Sequence, residues 1–245
     1  EASRANESAP FAKTNVSKEE LEKINLGQDM PILLNQLTSV VTTSDAGAGV
    51  GYTGMRIRGS DASRINVTVN GIPLNDSESQ GVFWVNMPDF ASSTQSIQVQ
   101  RGVGSSSNGA GAFGASVNLQ SDVLKRKAYA QVSNSFGSFN TRKHSLQFGT
   151  GLINNRFSFD GRLSALHSDG YLDRASADLR SYYFSAGYYG KKDVLRFITF
   201  AGFEETYQSW WGTPQSRLEN DVDGMNLHAD NNGLTPSQRE NLLNY

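Results

Sequence analysis

From residue 127 onward apolar and polar positions alternate along the chain, run after run. Ala128, Ala130 and Val132 oppose Tyr129, Gln131 and Ser133; Leu146 and Phe148 oppose Ser145 and Gln147; Phe157, Phe159, Leu163 and Ala165 oppose Ser158, Asp160, Arg162 and Ser164. Tyr182, Phe184, Ala186 and Tyr188 continue the apolar set, and Leu195, Phe197, Ala201 and Phe203 oppose Arg196 and Glu204. A period of two sends successive side chains to opposite faces of a strand, so these runs predict five antiparallel strands, each apolar on one face and polar on the other.

The first half follows a different grammar. Ser17 with Glu20 forms a capping box, Leu21 and Ile24 share a helix face, and Gly27 stops that helix. Asp29 with Pro31 starts a second predicted helix running through Leu33, Leu34 and Leu37. Four short half-buried strands are predicted around Met55 and Ile57, around Ile65, Val67 and Val69, around Ile97 and Val99, and around Val117 and Leu119. Residues 1–16 lack periodicity and read as a linker, 17–124 as an α+β domain, and 125–245 as the strand region.

Two environments fit the strand region. The polar face meets bulk water in a soluble antiparallel sheet, or it meets a lumen while the apolar face meets lipid. Connection lengths favour the second. They are short at 149–155 and 190–193, longer at 167–180 and from 205 to the end, with a tight exception at 137–140. Transmembrane barrels show that asymmetry, with short periplasmic turns and longer external loops. Tyr182 and Tyr188 then suit aromatic girdles. Five strands cannot close a barrel, and an open edge in lipid leaves backbone groups unsatisfied at several kcal/mol each. Holding a domain of the size of the first half takes roughly 22 strands, so the chain is expected to be the front quarter to third of a longer protein, ending inside an external loop.

Composition changes little in this picture. With 24 glycines, 10% aromatic and 37% hydrophobic residues, the chain reads as β-rich with two-sided strands. Cysteine is absent, which removes disulfide and thiolate-metal chemistry, and a net charge of −2 gives no nucleic-acid footprint. Candidate chemistry is sparse. Residues 49–54 match a dinucleotide fingerprint by letters, but a strand follows where that fingerprint requires a helix. The run at 102–114, GVGSSSNGAGAFG, lacks the Lys-Ser/Thr ending of a phosphate-binding loop. His144, His167 and His228 lie far apart, and the Asp- and Asn-rich stretch 219–232 lacks calcium-loop spacing. No serine elbow or paired acids support hydrolysis, so an enzyme, a resident metal and a cofactor are not expected.

The segments MRIRGSDASRINVTVNGIPLND and MPDFASSTQSIQVQRGVGSSSNGAGAFGASVNLQS resemble the plug domain of TonB-dependent outer-membrane receptors, and GSFNTRK with the strands after it resembles the start of their barrel. The resemblance runs in order over residues 25–203. Asn70 stands where the family often has Asp before Gly, and Gln98 and Gln100 replace commonly charged positions. EASRANESAPFA resembles the junction in Bacteroidetes-type receptors, which often carry an extra periplasmic domain before it. The segment that binds TonB normally precedes the plug, and residues 1–16 hold no persuasive copy of it.

What the resemblance implies is an outer-membrane protein whose plug, toward the periplasm inside the barrel, gates the active import of a scarce nutrient such as a siderophore–iron complex. The implied partners are TonB energised by ExbB/ExbD, outer-membrane lipid, the nutrient and a surface lipoprotein. The rival is a plugged surface receptor that captures a glycan or peptide for a partner protein and transports nothing. The implied plug–barrel ionic contacts are the arginines of the Arg58-Gly59 and Arg101-Gly102 motifs, with Arg56 beside them. The plug tip and the loop LNDSESQGVFW supply a substrate-binding set of Tyr52, Asn75, Asp76, Glu78, Gln80, Phe83 and Trp84, joined from an external loop by Trp210 and Trp211. Glycines able to take many conformations mark a part that moves, so Gly102, Gly104, Gly109, Gly111 and Gly114 form the expected gating segment.

Overall fold

Apolar residues at every second position of Ile65, Val67, Val69, Ile97, Val99, Val117 and Leu119 meet on one side of a sheet and build the core of the first domain. The computed structural model describes residues 4–103, 112–121, 124–207 and 212–244, in two units, residues 1–208 and 209–245.

In the first unit the core sheet holds β1 (Lys13–Ser17), β4 (Ile65–Val69), β5 (Ile72–Pro73), β6 (Thr94–Arg101) and β7 (Ala115–Ser121). Their order is β1-β6-β7-β4-β5, with β4 and β7 parallel and the other pairs antiparallel. A separate hairpin pairs β2 (Val40–Ser44) with β3 (Thr53–Ile57). Helix α1 (Lys18–Ile24) begins at the expected capping box: the Glu20 amide donates to Ser17 Oγ at 3.3 Å, and the Ser17 amide to Glu20 Oε2 at 2.7 Å.

Three expectations are corrected here. The linker reading of 1–16 gives way to an edge strand, because Lys13–Ser17 pairs with β6. The second helix, α2, is only Met30–Leu33; the chain turns out of helix at Leu34. The core strands are buried on both faces. Gln98, Gln100, Ser116 and Asn118 are as inaccessible as the valines beside them. The N-terminal segment covers part of that polar face, with the Ala5 amide donating to Gln98 Oε1 at 2.7 Å and Gln98 Nε2 returning a bond to the Ala5 carbonyl at 3.0 Å.

The five strands of the second half form one antiparallel meander: β8 (Tyr129–Phe136), β9 (Arg142–Gly149), β10 (Phe157–Ser168), β11 (Ala177–Tyr189) and β12 (Val194–Thr206). The expected alternation holds. Val132, Leu163, Leu195, Phe197 and Phe203 are exposed on the outer face, while Ser145, Gln147, Ser158, Arg162, Ser164, Ser181 and Ser185 are buried on the inner one. The inner face is buried because the first domain lies against it. Phe90 packs edge-on to Tyr183, with centroids 6.4 Å apart, and against Phe200 at 5.1 Å. At Gly202 a Cβ would stand 2.5 Å from the Asn86 carbonyl, so glycine is what lets β12 approach the domain so closely.

The second unit, within the expected external loop, is helical: α3 (Gln215–Leu218), α4 (Val222–Asn231) and α5 (Pro236–Asn244). Asp221 caps α4 by accepting the Gly224 amide at 3.0 Å, Met225 and Ala229 form its buried stripe, and Arg239 pairs with Asp230.

Candidate functional site

The contact between the first domain and the strands centres on Asp89. It follows Met87-Pro88, takes a left-handed backbone conformation (φ 53°), and precedes a 3-10 turn at Phe90–Ser93. That geometry sends its carboxylate toward the strand wall, where two inward-facing cations meet it. Lys143 Nζ on β9 stands 2.6 Å from Oδ1 and Arg162 Nη1 on β10 stands 3.3 Å from Oδ2. All three residues are at most 3% exposed.

Hydroxyls complete the site. Ser92 Oγ donates to Asp89 Oδ1 and Ser164 Oγ to Oδ2, each at 2.6 Å. Arg162 Nε donates to Ser93 Oγ at 2.7 Å and Nη1 to Ser181 Oγ at 3.0 Å, and Ser181 in turn donates to the Pro88 carbonyl at 2.7 Å. Lys143 Nζ reaches Asn25 Oδ1 at 3.3 Å, tying in the end of α1. Burial by itself would push the Asp89 carboxyl up; the charges of Lys143 and Arg162, with hydrogen bonds from Lys143 and Ser164, overcome it and hold the group below the usual carboxylate range.

A second contact lies toward the loop joining β10 and β11. The Tyr171 amide donates to the Ala46 carbonyl at 2.8 Å, and Val50 and Val85 pack with Leu166, Ala177 and Leu179, with Tyr52 half-buried against them. Behind this tip Asp29 is buried, accepting from Thr53 Oγ1 at 2.9 Å while its own amide donates to the Gly49 carbonyl at 2.9 Å. Burial drives the Asp29 carboxyl up to about 8 against the opposing hydrogen bonds from Thr53 and the Gly51 backbone.

The expected plug–barrel arginines do other work. Arg101 is buried but spends its guanidinium inside the first domain, donating to the Thr38 carbonyl at 2.8 Å and to Thr14 Oγ1 at 2.9 Å. Arg58 Nη1 donates to the Arg101 carbonyl at 3.4 Å, and Arg56 is exposed on β3. Among the described residues none of the three forms an ion pair with a strand carboxylate. The contact that does form has the opposite sense, with the acid on the domain and the cations on the wall. Neither Asp89 nor Lys143 stood out in the sequence, and Arg162 stood out only as an inward-facing position. The usable signal is a pair of cations, Lys143 and Arg162, on inward faces rich in serine, with Gln147, Asp160 and Leu166 among them.

The proposed ligand loop divides in the same way. Asn75 is committed to backbone, accepting the Val67 amide at 2.8 Å and donating to the carbonyls of Ile65 at 2.9 Å and Gln80 at 2.7 Å. Asp76 accepts the amides of Glu78 at 3.0 Å and Ser79 at 2.7 Å, which folds the loop on itself. Gln80 Nε2 closes on the Ser77 carbonyl at 2.7 Å. Trp84 is buried in the core, a correction that follows from its apolar bulk packing under the sheet. Glu78 and Phe83 remain exposed. Gly102, with φ 95°, donates its amide to the Gly114 carbonyl at 2.8 Å. Gly104, Gly109, Gly111, Trp210 and Trp211 lie outside the described residues.

Comparison with known proteins now adds to this geometry. Residues 5–116 match the family model "TonB-dependent Receptor Plug Domain". Among solved structures, the siderophore receptor PirA from Acinetobacter baumannii aligns with a TM-score of 0.63 at 17% identity, covering 81% of this chain and 32% of that one. The pyoverdine outer-membrane receptor FpvA from Pseudomonas aeruginosa PAO1 aligns at 0.69 and 14%, covering 85% and 30%. The ferric-catecholate import receptor Fiu from E. coli K12 aligns at 0.65 and 17%, covering 83% and 28%. The chain thus spans about a third of the length of the receptors it matches. No curated protein matches its sequence. A domain with the plug signature is packed by a buried carboxylate against a meander that is apolar outside and polar inside: residues 5–116 are a TonB-dependent receptor plug domain, and the strands after it have the fold of part of the barrel wall of such receptors.

Proposed function

We propose that the full-length receptor imports an iron–siderophore complex across the outer membrane, driven by TonB with ExbB/ExbD, and that the plug is the gate. The observation carrying this reading is the nature of the plug–wall contact. A permanent stopper would be sealed by a continuous apolar interface, whereas here apolar contacts such as Phe90 on Tyr183 and Val50 on Leu166 are interspersed with small hydroxyls and amides, and the ionic fastening found among the described residues, at Asp89, rests on a few directional bonds. Such bonds can be exchanged for water or ligand contacts at modest net cost once the plug shifts. Within the gate, Gly102 and Gly114 are proposed as gating glycines, and Tyr52, Glu78 and Phe83 as the ligand-facing residues.

The substrate class rests on the names of similar proteins. PirA is described as a siderophore receptor, FpvA is bound to pyoverdine, and Fiu is a ferric-catecholate import receptor. A copper transporter, OprC, aligns as well, so metal delivery is common to these neighbours. The test is uptake of radioiron presented as ferric siderophores by cells whose only receptor is this one, with and without TonB and with the proton gradient collapsed. Accumulation that needs both supports import; binding that persists without any accumulation favours the rival, a surface receptor serving a partner lipoprotein.

A further inference from the structure

The outer face of the strands changes character along its length. Toward the short turns at 150–156 and 190–193 the outward positions are uncharged: Phe148, Phe157, Phe159, Ala186, Tyr188, Leu195 and Phe197. Toward the loop end two cross-strand rows carry charge. One row runs Asn134, His144, Ala165, Arg180 and Phe203; the next runs Phe136, Arg142, His167, Asp178 and Glu205.

Most of these groups are occupied. His167 is held between Asp178 at 2.8 Å and Asp169 at 3.0 Å, and His144 Nδ1 lies 2.7 Å from Asn134 Oδ1. Arg142 and Arg180 are different: among the described residues neither guanidinium has a hydrogen-bond or ion-pair partner, and both are exposed. They stand on β9 and β11 with β10 between them and in adjacent rows, so two strand spacings and a two-residue offset put their Cα atoms roughly 12 Å apart. Glu205 is the free acid of the row, and it lies beyond Asp178 on β12, away from the gap between the arginines.

Directly below opens a groove of about 730 Å³, walled by Val132, Leu146, Leu163, Tyr182 and Phe203, with Arg180 and His144 at its upper end. Ala165 makes the room, since its register neighbours on either side are His144 and Arg180. An exposed apolar trough ending in unpaired guanidiniums is complementary to a molecule that joins an acyl chain to a phosphate.

We propose that this groove is a specific site for a phosphorylated lipid of the outer leaflet, its chain over Ala165 and its phosphate on Arg180 and Arg142. The inference uses the membrane placement of the strands and is independent of what the receptor transports. A free guanidinium on a lipid-facing surface needs an anion, and a headgroup phosphate supplies it at the depth where the apolar rows end.

The test is native mass spectrometry of the full-length receptor in nonionic detergent, incubated with equal amounts of dioleoyl phosphatidic acid and dioleoylglycerol. The wild type should retain the phosphatidic acid over the diacylglycerol by about tenfold or more, as expected of two cations near one phosphate. Arg142→Gln with Arg180→Gln should erase that preference while leaving diacylglycerol retention unchanged, and Ala165→Phe, which fills the groove from the lipid side, should reduce both. Lys191→Gln with Lys192→Gln, at the turn end, should behave as wild type. Unchanged preference in the double arginine variant, or equal loss in the lysine variant, overturns the site. Loss of iron uptake without a change in lipid retention would count against the proposed import and leave this site standing.

Discussion

Lys143 Nζ and Asp89 Oδ1, 2.6 Å apart, join an inward position of the barrel wall to a plug residue that meets two cations at once. Removing the acid alone strands Lys143 and Arg162 without their counter-charge in a buried site, which costs on the order of 3–5 kcal/mol. Asp89→Ala is therefore expected to loosen the plug, read as faster hydrogen exchange over Phe90–Ser93 and earlier thermal unfolding of the full-length receptor. The neutral pair Asp89→Asn with Lys143→Met should be less damaging than Asp89→Ala. Equal damage in both would mean that shape rather than charge holds the contact.

Asp29 makes a pH prediction. Its folded value is raised to about 8 from the ordinary 3.8, so the folded plug binds a proton that the unfolded chain has released. Stability is then highest below about 4 and falls as the pH rises toward about 8, because the unfolded state binds fewer protons across that window. Asp29→Asn keeps the shape and removes the titration. It should flatten this part of the stability-versus-pH curve and raise the melting temperature at pH 8; an unchanged slope would show that Asp29 is not its source.

Phe83 and Trp84 are neighbours with opposite fates, 52% and 5% exposed. Trp84→Ala empties a core position and should cost about 3–5 kcal/mol of plug stability. Phe83→Ala touches no core and should stay within about 0.5 kcal/mol of wild type, while weakening ligand binding if Phe83 faces the ligand. Normal affinity in Phe83→Ala would remove it from the proposed binding set.

How much of this was legible in the sequence differs between the two halves. Strand periodicity gave the meander and its inside and outside correctly, because lipid on one side and plug on the other enforce a strict alternation at Leu146, Phe148, Phe157 and Phe159. The same rule misjudged the plug strands. Gln98, Gln100 and Asn118 looked solvent-facing, yet they are buried, and only a long-range partner such as Ala5 reveals how Gln98 is satisfied. Site residues were harder still. Asn75 and Asp76 have the composition of a ligand contact, but the same short polar side chains also satisfy backbone amides, and nothing local in the sequence distinguishes the two uses. Asp89 was hidden because its partners come from β9 and β10, far along the chain.

The N-terminal segment supplies the last prediction. Gln98 holds it through a paired exchange with the Ala5 peptide and a further bond from Nε2 to Asn15 Oδ1 at 2.8 Å, and Arg4 Nη1 reaches Ser96 Oγ at 2.9 Å. Below it the sheet is continuous, since β6 and β7 pair in one register from Ser96 to Arg101. Two stabilities therefore meet at one side chain: a strap held by a handful of bonds, and a sheet held by its ladder and its apolar face. Gln98→Leu keeps bulk at the site but strands the Ala5 amide and carbonyl, at a cost of about 1–3 kcal/mol. The expected result is rapid hydrogen exchange at Ala5 and through residues 6–12, with protection of Ile97, Val99, Val117 and Leu119 retained, because local openings below the global one are confined to the least supported segment. Loss of protection across β6 and β7 together would show instead that strap and sheet unfold as one unit, and that the segment cannot leave the plug without dissolving its core.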